Sequence, residues 1–363
     1  MSGEDRDRRP VLVTGGAGFI GSNLADALAA RGENVLIYDA LSRPGVEANL
    51  AWLRGRRGAR IEPIIADVRD EAALAIAAGR AKAVFHMAAQ VAVTTSLVDP
   101  CTDFDVNVRA TLGLLESLRA RGEGTPLIFA STNKVYGDLA DLGFQRIGER
   151  YLPVDRGVRA HGIGEARPLD FHTPYGCSKG AADQYVLDYA RSFGLPTAVL
   201  RMSCIYGQRQ MGTEDQGWVA HFLIRALEGE PITLYGDGYQ VRDILDVGDA
   251  VAAYLAAWER IDEVKGHAFN LGGGPANAVS LRQLIAHMQT LLDREIGVAF
   301  APWRAGDQRY FIADTRAAEA ALGLPEKQPW KEGVARLAQW LAAERGLLLP
   351  PNGCAELREG VAA

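Results

Sequence analysis

Short apolar runs alternate with longer Ala- and Leu-rich stretches through the first part of the chain. Val11–Thr14, Ala83–His86, residues 34–39 and residues 127–130 are apolar runs with the length and β-branched character of buried strands. Residues 22–31 instead have the length and composition of a helix. The alternation predicts βαβ units around a parallel sheet, which is an α/β fold.

This rhythm breaks between residues 138 and 172, where charges are mixed, glycines are scattered and no period is sustained. The pattern predicts a long surface excursion, followed by a helix that begins near Tyr175. A second, smaller domain is expected after Val199, where the order of elements becomes less regular. Its pattern predicts a loop, a helix and two strands, at residues 207–217, 219–228, 232–235 and 242–245.

Composition fits a folded protein of about two domains. The chain has 363 residues, of which 48% are hydrophobic and 23% charged, so it lacks the signature of disorder. Its formal net charge is −6, from 39 Lys and Arg against 45 Asp and Glu, which argues against nucleic acid as a partner. The sequence shows neither an apolar run that spans a membrane nor the pattern of a signal peptide, so we expect a cytoplasmic protein.

The spacing of the four cysteines bears on whether the chain forms disulfides or binds a metal. Cys101, Cys177, Cys204 and Cys354 lie far apart and form no CxxC pair. The sequence therefore predicts reduced thiols, with neither a disulfide framework nor a metal site.

A glycine motif between the first strand and the first helix indicates a dinucleotide site. Gly15 permits a tight turn, Gly18 lets the backbone approach a pyrophosphate, and Gly21 lets the helix pack closely on the strand. Asp39 ends the next strand, where a carboxylate binds ribose hydroxyls. The ordered strand, turn, helix, strand and acid favour cofactor binding over an ordinary glycine-rich turn.

The type of dinucleotide follows from Asp39, because a carboxylate there repels a 2′-phosphate and favours NAD over NADP. Arg43 is the counter-argument, since an arginine nearby accepts such a phosphate. Asp67 and Val68 follow the apolar run 61–66, where a third strand ends. They are placed to contact the adenine, and the alternative is that Asp67 caps a helix.

Tyr175 and Lys179 are four residues apart in the predicted helix and share one face of it. An ammonium beside a phenol stabilises the phenolate and makes it a better general base. Ser131 and Thr132 follow the run 127–130, at the end of a strand where α/β sheets bind their ligands. A hydroxyl there is able to donate to a substrate oxygen.

These motifs, in this order, resemble the extended short-chain dehydrogenase/reductase family of nucleotide-sugar enzymes. The resemblance covers roughly residues 10–345, and it includes further landmarks at residues 86–90, 107–111, 241–244 and 304–307. It implies a Rossmann-type, doubly wound parallel sheet with a smaller mixed α/β substrate-binding domain. It also implies NAD as the cofactor and a nucleotide sugar as the substrate.

The family pattern also implies how the chain is divided and assembled. The NAD-binding domain is expected to comprise residues 1–200 and about 247–275. The nucleotide-sugar-binding domain comprises about 201–246 and 276–345, and residues 346–363 form a tail. Relatives form homo-oligomers, dimers or tetramers, through paired helices, for which residues 108–119 and 181–193 are the candidates.

Within the family, residues 131–138, 170–185, 208–210 and 215–218 most closely resemble the 2-epimerases of CDP-hexoses. This resemblance implies that NAD oxidises a sugar hydroxyl and that the hydride returns to the opposite face of the sugar. A CDP-sugar is the favoured substrate.

The same resemblance assigns catalytic roles. Tyr175 is the base, Lys179 lowers its pKa and holds the nicotinamide ribose, and Thr132 polarises the sugar oxygen. A 4,6-dehydratase is disfavoured because it needs an acid and a base after the threonine, whereas this chain has Asn133 and Lys134. A 4-epimerase, an epimerase at another carbon, a dehydrogenase with an exchangeable cofactor and a non-catalytic nucleotide-binding protein remain alternatives.

One departure concerns substrate phosphate recognition. Many relatives have an asparagine where this chain has Cys204, and a thiol is too weak a donor to replace an amide, so Ser203 is a candidate substitute. Trp218 is a candidate for stacking on the sugar or the base, with a role as a core anchor as the alternative. His86 and His172 are interpreted as structural.

The candidate ligand-binding residues fall into two groups, one for each ligand. Those for the cofactor are Gly15, Gly18, Phe19, Ile20, Gly21, Asp39, Ser42, Arg43, Asp67, Val68, Ala88, Ala89, Asn107, Ser131, Tyr175 and Lys179. Those for the substrate are Gln90, Thr132, Asn133, Lys134, Ser203, Arg209, Gln216, Gly217, Trp218, Arg242, Arg304, Asp307 and Arg309. The four arginines among them are candidates for the pyrophosphate of the substrate, because a planar guanidinium binds phosphate through two hydrogen bonds.

Overall fold

A seven-stranded parallel sheet forms the centre of the molecule. The computed structural model describes residues 7–350, so Cys354 and residues 351–363 of the predicted tail lie outside the described residues. The strands are β1 (Val11–Thr14), β2 (Val35–Asp39), β3 (Ile61–Ile65), β4 (Ala83–His86), β5 (Leu127–Thr132), β6 (Phe144–Ile147), β7 (Arg150–Pro153), β8 (Thr197–Met202), β9 (Cys204–Tyr206), β10 (Ile232–Tyr235), β11 (Val241–Asp246), β12 (Ala268–Leu271), β13 (Ala278–Ser280), β14 (Val298–Ala301) and β15 (Tyr310–Phe311).

Helices cover the sheets and join the strands. They are α1 (Phe19–Ala30), α2 (Val46–Arg57), α3 (Glu71–Arg80), α4 (Val93–Val98), α5 (Pro100–Phe104), α6 (Ala110–Arg121), α7 (Arg156–His161), α8 (Thr173–Phe193), α9 (Trp218–Glu228), α10 (Val247–Glu259), α11 (Ile261–Val264), α12 (Leu281–Leu292), α13 (Arg316–Leu322) and α14 (Trp330–Glu344). A π-helical stretch at Asp105–Arg109 leads into α6.

The central sheet has the strand order β12-β8-β5-β4-β1-β2-β3, and every adjacent pair is parallel. Helices α1, α2 and α10 bury Leu24, Leu53 and Tyr254 on one face. Helices α3, α6 and α8 occupy the other face, with Leu114 and Val186 in its core. Because crossover helices cover both faces, the inner strands β1, β4 and β5 are buried along their whole length. The predicted Rossmann-type, doubly wound fold is confirmed.

The smaller sheets lie beside the carboxyl end of the central one. Strand β11 pairs antiparallel with β13 and parallel with β9 and β15, and β10 pairs with β14. Helices α9, α12 and α14 pack together around Leu223, Leu284 and Leu337. The predicted loop, helix and two strands after Val199 are all present, the helix as α9 and the strands as β10 and β11.

The prediction of an irregular excursion over residues 138–172 is wrong in part. The segment contains the hairpin β6–β7 and helix α7, and it is anchored to both halves of the molecule. Ile163 forms a bridge with Ala313, and its carbonyl accepts a hydrogen bond from Asn270 of β12 at 2.8 Å. The hairpin was missed because its short strands carry mixed charges instead of an alternating pattern.

No helix among residues 7–350 combines the length and the apolar character needed to cross a membrane.

Candidate functional site

The glycine loop after β1 has almost no space for side chains. Gly15 has a φ of +65°, and a Cβ there would lie 2.8 Å from the Ala88 nitrogen. A Cβ on Gly21 would lie 2.2 Å from the Gly15 oxygen. Gly18 precedes α1, whose first residues are Phe19 and Ile20. The backbone therefore forms an open cradle at a helix N-terminus, which suits a pyrophosphate.

Asp39 ends β2 directly beside this cradle. Its Oδ2 accepts a hydrogen bond from the Ala17 nitrogen at 3.0 Å, and its Oδ1 accepts one from the Leu41 nitrogen at 2.9 Å. These two bonds fix the carboxylate at the edge of the glycine loop. Ser42 and Arg43 follow as exposed residues. Asp39, which is predicted to bind the ribose, therefore lies next to the glycine loop, which is predicted to bind the pyrophosphate.

The third strand end is also as predicted. Asp67 follows β3, and its backbone carbonyl accepts a hydrogen bond from the Tyr38 hydroxyl at 2.8 Å. The helix-cap alternative is wrong, because Asp70 caps α3 by accepting from the Ala73 nitrogen at 3.0 Å. Val68 is buried beside it.

A buried network behind the glycine loop fixes the end of β4. The His86 ring lies 2.7 Å from the Thr14 hydroxyl and 3.0 Å from the Thr111 hydroxyl. Burial, with a smaller contribution from Lys179, lowers the pKa of His86 to about 3. Thr14 also accepts from the Ala88 nitrogen at 3.2 Å. The structural interpretation of His86 agrees with these contacts, and they position the Ala88–Ala89 turn.

Asn107 connects the β4 loop with α8. Its amide nitrogen lies 3.1 Å from the Gln90 carbonyl, 3.2 Å from Asp103 and 3.0 Å from the Ser178 hydroxyl, and its oxygen accepts from the Gln90 nitrogen at 2.9 Å. Ser178 in turn donates to the Tyr175 carbonyl at 3.2 Å. Asn107 thus holds the loop of Gln90 against the first turn of α8.

Thr132, Tyr175 and Lys179 come together at the carboxyl end of β5, and all are buried. Burial raises the pKa of Tyr175 to about 12, opposed by a hydrogen bond with Thr132. Burial lowers the pKa of Lys179 to about 7, opposed by Asp183 and Asp103. The Lys179 ammonium lies 4.1 Å from the centre of the Phe129 ring. The raised pKa of Tyr175 means that its phenolate needs a positive charge nearby, and Lys179, one turn further along α8, is the candidate.

Asp183 is a site residue that the sequence reasoning missed. It lies one helical turn beyond Lys179 and is completely buried. Its carboxylate accepts from Ser131 at 2.7 Å and from Arg201 through two bonds of 2.9 Å. An acid four residues after the lysine on the same helix face was the available signal.

The predicted substrate side contains a charged cluster. The Arg242 guanidinium lies 2.8 Å from the Asp307 carboxylate, and the Lys134 ammonium donates to the Gly306 carbonyl at 3.0 Å. Burial, followed by the charge of Arg242, lowers the pKa of Lys134 to about 8. The Asn133 amide donates to Gln308 at 3.3 Å. The end of β5 is thus bonded to the loop that carries Asp307.

Ser203 and Trp218 contact protein groups. The Ser203 hydroxyl is hydrogen-bonded to the buried Asp243 carboxylate. The Trp218 indole lies 3.3 Å from the Cys204 sulfur and packs edge-on against Phe222 at 5.6 Å. These contacts favour the core-anchor alternative for Trp218.

The other predicted substrate residues and His172 each have their own surroundings. The Arg304 guanidinium stacks on Tyr235 at 3.7 Å, and Arg309 lies 5.9 Å from the Tyr151 ring. Gln216 and Gly217 precede α9, and Gly217 has a φ of +76°. His172 lies at the surface, 3.1 Å from the Asp170 carboxylate.

Arg209 is not brought together with Arg242 and Asp307. Its guanidinium lies 4.4 Å from the Trp52 ring centre and 5.2 Å from that of Trp340.

Fold and site together define the class of protein. Residues 11–272 match the model of the NAD dependent epimerase/dehydratase family, so the chain belongs to this family of enzymes. The glycine cradle and Asp39 fit the NAD cofactor of the family, because a Cβ would fill the cradle and the carboxylate lies at its edge. The predicted family resemblance and the predicted cofactor are confirmed.

Individual relatives show which enzymes of this family the chain resembles. The chain is 41% identical over 340 residues to the CDP-paratose 2-epimerase of Salmonella typhi, covering 92% of this chain and 99% of that protein. It resembles the structure of Thermotoga maritima UDP-glucose 4-epimerase with UDP-glucose, with a TM-score of 0.79, 30% identity and coverage of 93% and 99%. It also resembles Thermus thermophilus UDP-glucose 4-epimerase with NAD, with a TM-score of 0.75, 31% identity and coverage of 93% and 100%.

Proposed function

We propose that this protein is a nucleotide-sugar 2-epimerase that inverts C2 of a CDP-hexose such as CDP-paratose. The observation that carries the proposal is the buried Thr132–Tyr175–Lys179 arrangement at the end of β5, followed by Asn133 and Lys134. The 41% identity to a CDP-paratose 2-epimerase supports the choice of substrate and carbon.

Bound NAD supplies the hydride acceptor and, later in the same turnover, the hydride donor. The Tyr175 phenolate oxygen takes the proton of the sugar hydroxyl, and the Thr132 hydroxyl donates to the same sugar oxygen. The Lys179 ammonium stabilises the phenolate and holds the nicotinamide ribose. A hydride returned to the opposite face of the sugar would invert one carbon, with no net redox change.

Lys134 and Arg242 are proposed to bind the anionic part of the substrate. Arg242 pairs with Asp307, whereas the Lys134 ammonium donates to the Gly306 carbonyl and not to a carboxylate, so its positive charge is available to an anionic ligand. Such a cluster attracts a diphosphate. In this proposal Asp307 binds the nucleotide ribose, and the smaller sheets with α9, α12 and α14 form the substrate-binding domain.

Dehydration is disfavoured by the same residues. Removing a proton from C5 and a hydroxyl from C6 needs a carboxylate pair beside the sugar. Asn133 and Lys134 take those positions, and their side chains are bonded to Gln308 and Gly306. They therefore anchor the substrate loop and provide no acid–base pair.

Self-association is part of the proposal. The predicted pairing segments, residues 108–119 and 181–193, fall in α6 with the π-helical stretch before it and in α8, and α8 exposes Phe193 beside Arg119 of α6. A second copy of the chain that pairs through these two segments would cover the Phe193 ring. Light scattering of the purified protein tests this point. A cytoplasmic location is also proposed, supported by free thiols at Cys101, Cys177 and Cys204.

The function is tested by proton NMR of the purified protein with NAD⁺ and, separately, CDP-paratose, CDP-glucose, UDP-glucose and GDP-mannose. We expect inversion at C2 of CDP-paratose, and no inversion by Tyr175→Phe. Tyr185→Phe is the matched control, because it is an exposed tyrosine on the same helix.

Other outcomes contradict the proposal. Inversion at C4 alone would support the 4-epimerase alternative, which the likeness to UDP-glucose 4-epimerase structures favours. Accumulation of free NADH would identify a dehydrogenase. Turnover of none of the four sugars would count against a 2-epimerase and support the non-catalytic alternative.

A further inference from the structure

Residues 208–211, which we call the strap, cross from the smaller sheets to the cofactor side of the molecule. The Asn23 amide of α1 donates to the Gln208 carbonyl at 3.0 Å. The Asn49 amide of α2 donates to the Arg209 carbonyl at 3.2 Å. The Met211 side chain lies against Gly45, where a Cβ would be 2.9 Å from its Cγ. The strap is therefore fastened to α1, to α2 and to the turn that precedes α2.

Asn49 connects the strap directly with the glycine loop. Its amide nitrogen also donates to the Ala17 carbonyl at 3.2 Å, and the residue is only 1% exposed. Its own oxygen has no hydrogen-bond partner among residues 7–350. An unpaired buried acceptor lowers the stability of the fold. Asn49 nevertheless keeps its two amide hydrogen bonds, to Ala17 and to Arg209.

The Arg209 side chain fastens the strap at a second point. Its guanidinium lies 4.4 Å from the Trp52 ring of α2 and 5.2 Å from the Trp340 ring of α14. Glu344 of α14 lies 3.7 Å away. The Arg209 backbone has a φ of +70°, a conformation that a non-glycine residue keeps only where its surroundings enforce it. One side chain thus joins the cofactor side to α14.

We propose that the strap keeps NAD bound through turnover and that Arg209 is its principal positioning residue. The glycine loop and the loop after Asp39 are the two segments expected to hold the ADP half of NAD. The strap is tied to the first through Asn49 and to the second through Gly45. Opening the cofactor site therefore requires the strap contacts to break.

Retention of NAD fits the chemistry. An epimerase must keep the reduced cofactor until the hydride has returned, and this part of the argument rests on the proposed function. Arg209 then acts on the cofactor through the strap, which replaces the expected contact with the substrate diphosphate. In the alternative, the Arg209 guanidinium moves away from Trp52 and Trp340 and itself binds the substrate.

The test measures release of NADH from the full-length protein, without sugar, by fluorescence after a chase with excess NAD⁺. We expect Arg209→Ala to release NADH about tenfold faster, because stacking between two rings is lost. Arg209→Lys keeps the charge but stacks less well on the rings. Its rate of NADH release should therefore lie between those of the unaltered protein and Arg209→Ala. Asn49→Ala should also speed release, and it serves if the arginine variant does not fold.

Arg56→Ala is the matched control. The Arg56 guanidinium also lies over Trp52, at 5.9 Å, but it pairs with Asp26 of α1 and not with the strap. Its release rate should equal that of the unaltered protein. Because no sugar is present, the measurement is informative even if the chain epimerises none of the substrates tested.

Three results would overturn the proposal. Unchanged NADH release in Arg209→Ala, with only a lower melting temperature, would assign Arg209 a purely structural role. Unchanged release with a raised KM for a CDP-sugar would make it a substrate residue. Equally fast release in Arg56→Ala would mean that Trp52, and not the strap, controls the cofactor.

Discussion

Lys179 and Asp183 lie one turn apart on the buried face of α8, and the carboxylate of Asp183 opposes the lowering of the Lys179 pKa by burial. Asp183 also pairs with the buried Arg201 of β8 and accepts from Ser131 of β5. One acid therefore joins the catalytic helix to two adjacent strands.

Asp183→Asn should destabilise the fold strongly. It leaves the Arg201 guanidinium buried without a charged partner, a change that costs about 3–5 kcal/mol in the free energy of unfolding. Urea denaturation measures it. Asp188→Asn is the control, since Asp188 lies on the same helix and forms an exposed pair with Arg191. A loss no larger than that of the control would mean that the buried pair adds little.

Tyr175→Phe should remove turnover and leave NAD binding intact. Losing a positioned general base lowers kcat by about 10²- to 10⁴-fold, whereas the packing of a buried ring is kept. The checks are the rate of epimerisation by NMR and the NAD content of the purified protein. Substantial residual turnover would show that another group takes the proton.

Asp39→Ala should weaken NAD binding by about tenfold and reduce the discrimination against NADP. The variant removes the carboxylate that contacts the Ala17 and Leu41 nitrogens and is expected to bind the adenosine ribose. Fluorescence titration with both cofactors measures the ratio of affinities. Glu47→Ala, at an exposed acid on α2, should change neither. An unchanged ratio in Asp39→Ala would assign the cofactor preference to other residues, with Arg43 the first to examine.

His86 should make the protein sensitive to mild acid. Burial holds its pKa at about 3 in the folded state, below the ordinary value of 6.5, so the unfolded chain binds the extra proton first as pH falls. The contribution is complete above about pH 6.5 and is lost on descent to about pH 3. At about pH 4.5 the loss is about 2–3 kcal/mol.

The acid effect is measured by urea denaturation at about pH 7 and about pH 4.5. His86→Gln has no titrating ring and should lose less stability between these two conditions than the unaltered protein. His161→Gln, at an exposed histidine at the end of α7, should behave like the unaltered protein. Equal acid sensitivity of the His86→Gln variant and the unaltered protein would show that other groups dominate.

Local pattern was sufficient to predict the elements that approach the cofactor. The glycine motif, Asp39 and the ends of β4 and β5 depend on short-range periodicity and spacing, and the structure brings them to one edge of the sheet. Contacts between distant segments could not be predicted in this way. The family resemblance assigned Arg209 to the diphosphate of the substrate. In the structure its partners are Trp52 and Trp340, which lie far from it in sequence.

The same reason explains the hairpin β6–β7 and the Trp218 contacts. Strands as short as β6 carry too few positions to establish a period. Whether Trp218 meets a ligand or Cys204 depends on how β9 and α9 pack, which no local window contains.

Strand β12 has a consequence for how this protein can be altered. After the chain has formed β9, β10 and β11, it returns through α10 to add β12 to the edge of the central sheet. It then leaves again for β13, β14 and β15. The smaller sheets are therefore not formed by one continuous segment that is separate from the central sheet. A chimera joined only once, after β8, would exchange the last strand of the recipient's central sheet together with the smaller sheets. Recombination that preserves the central sheet needs crossovers on both sides of α10 and β12.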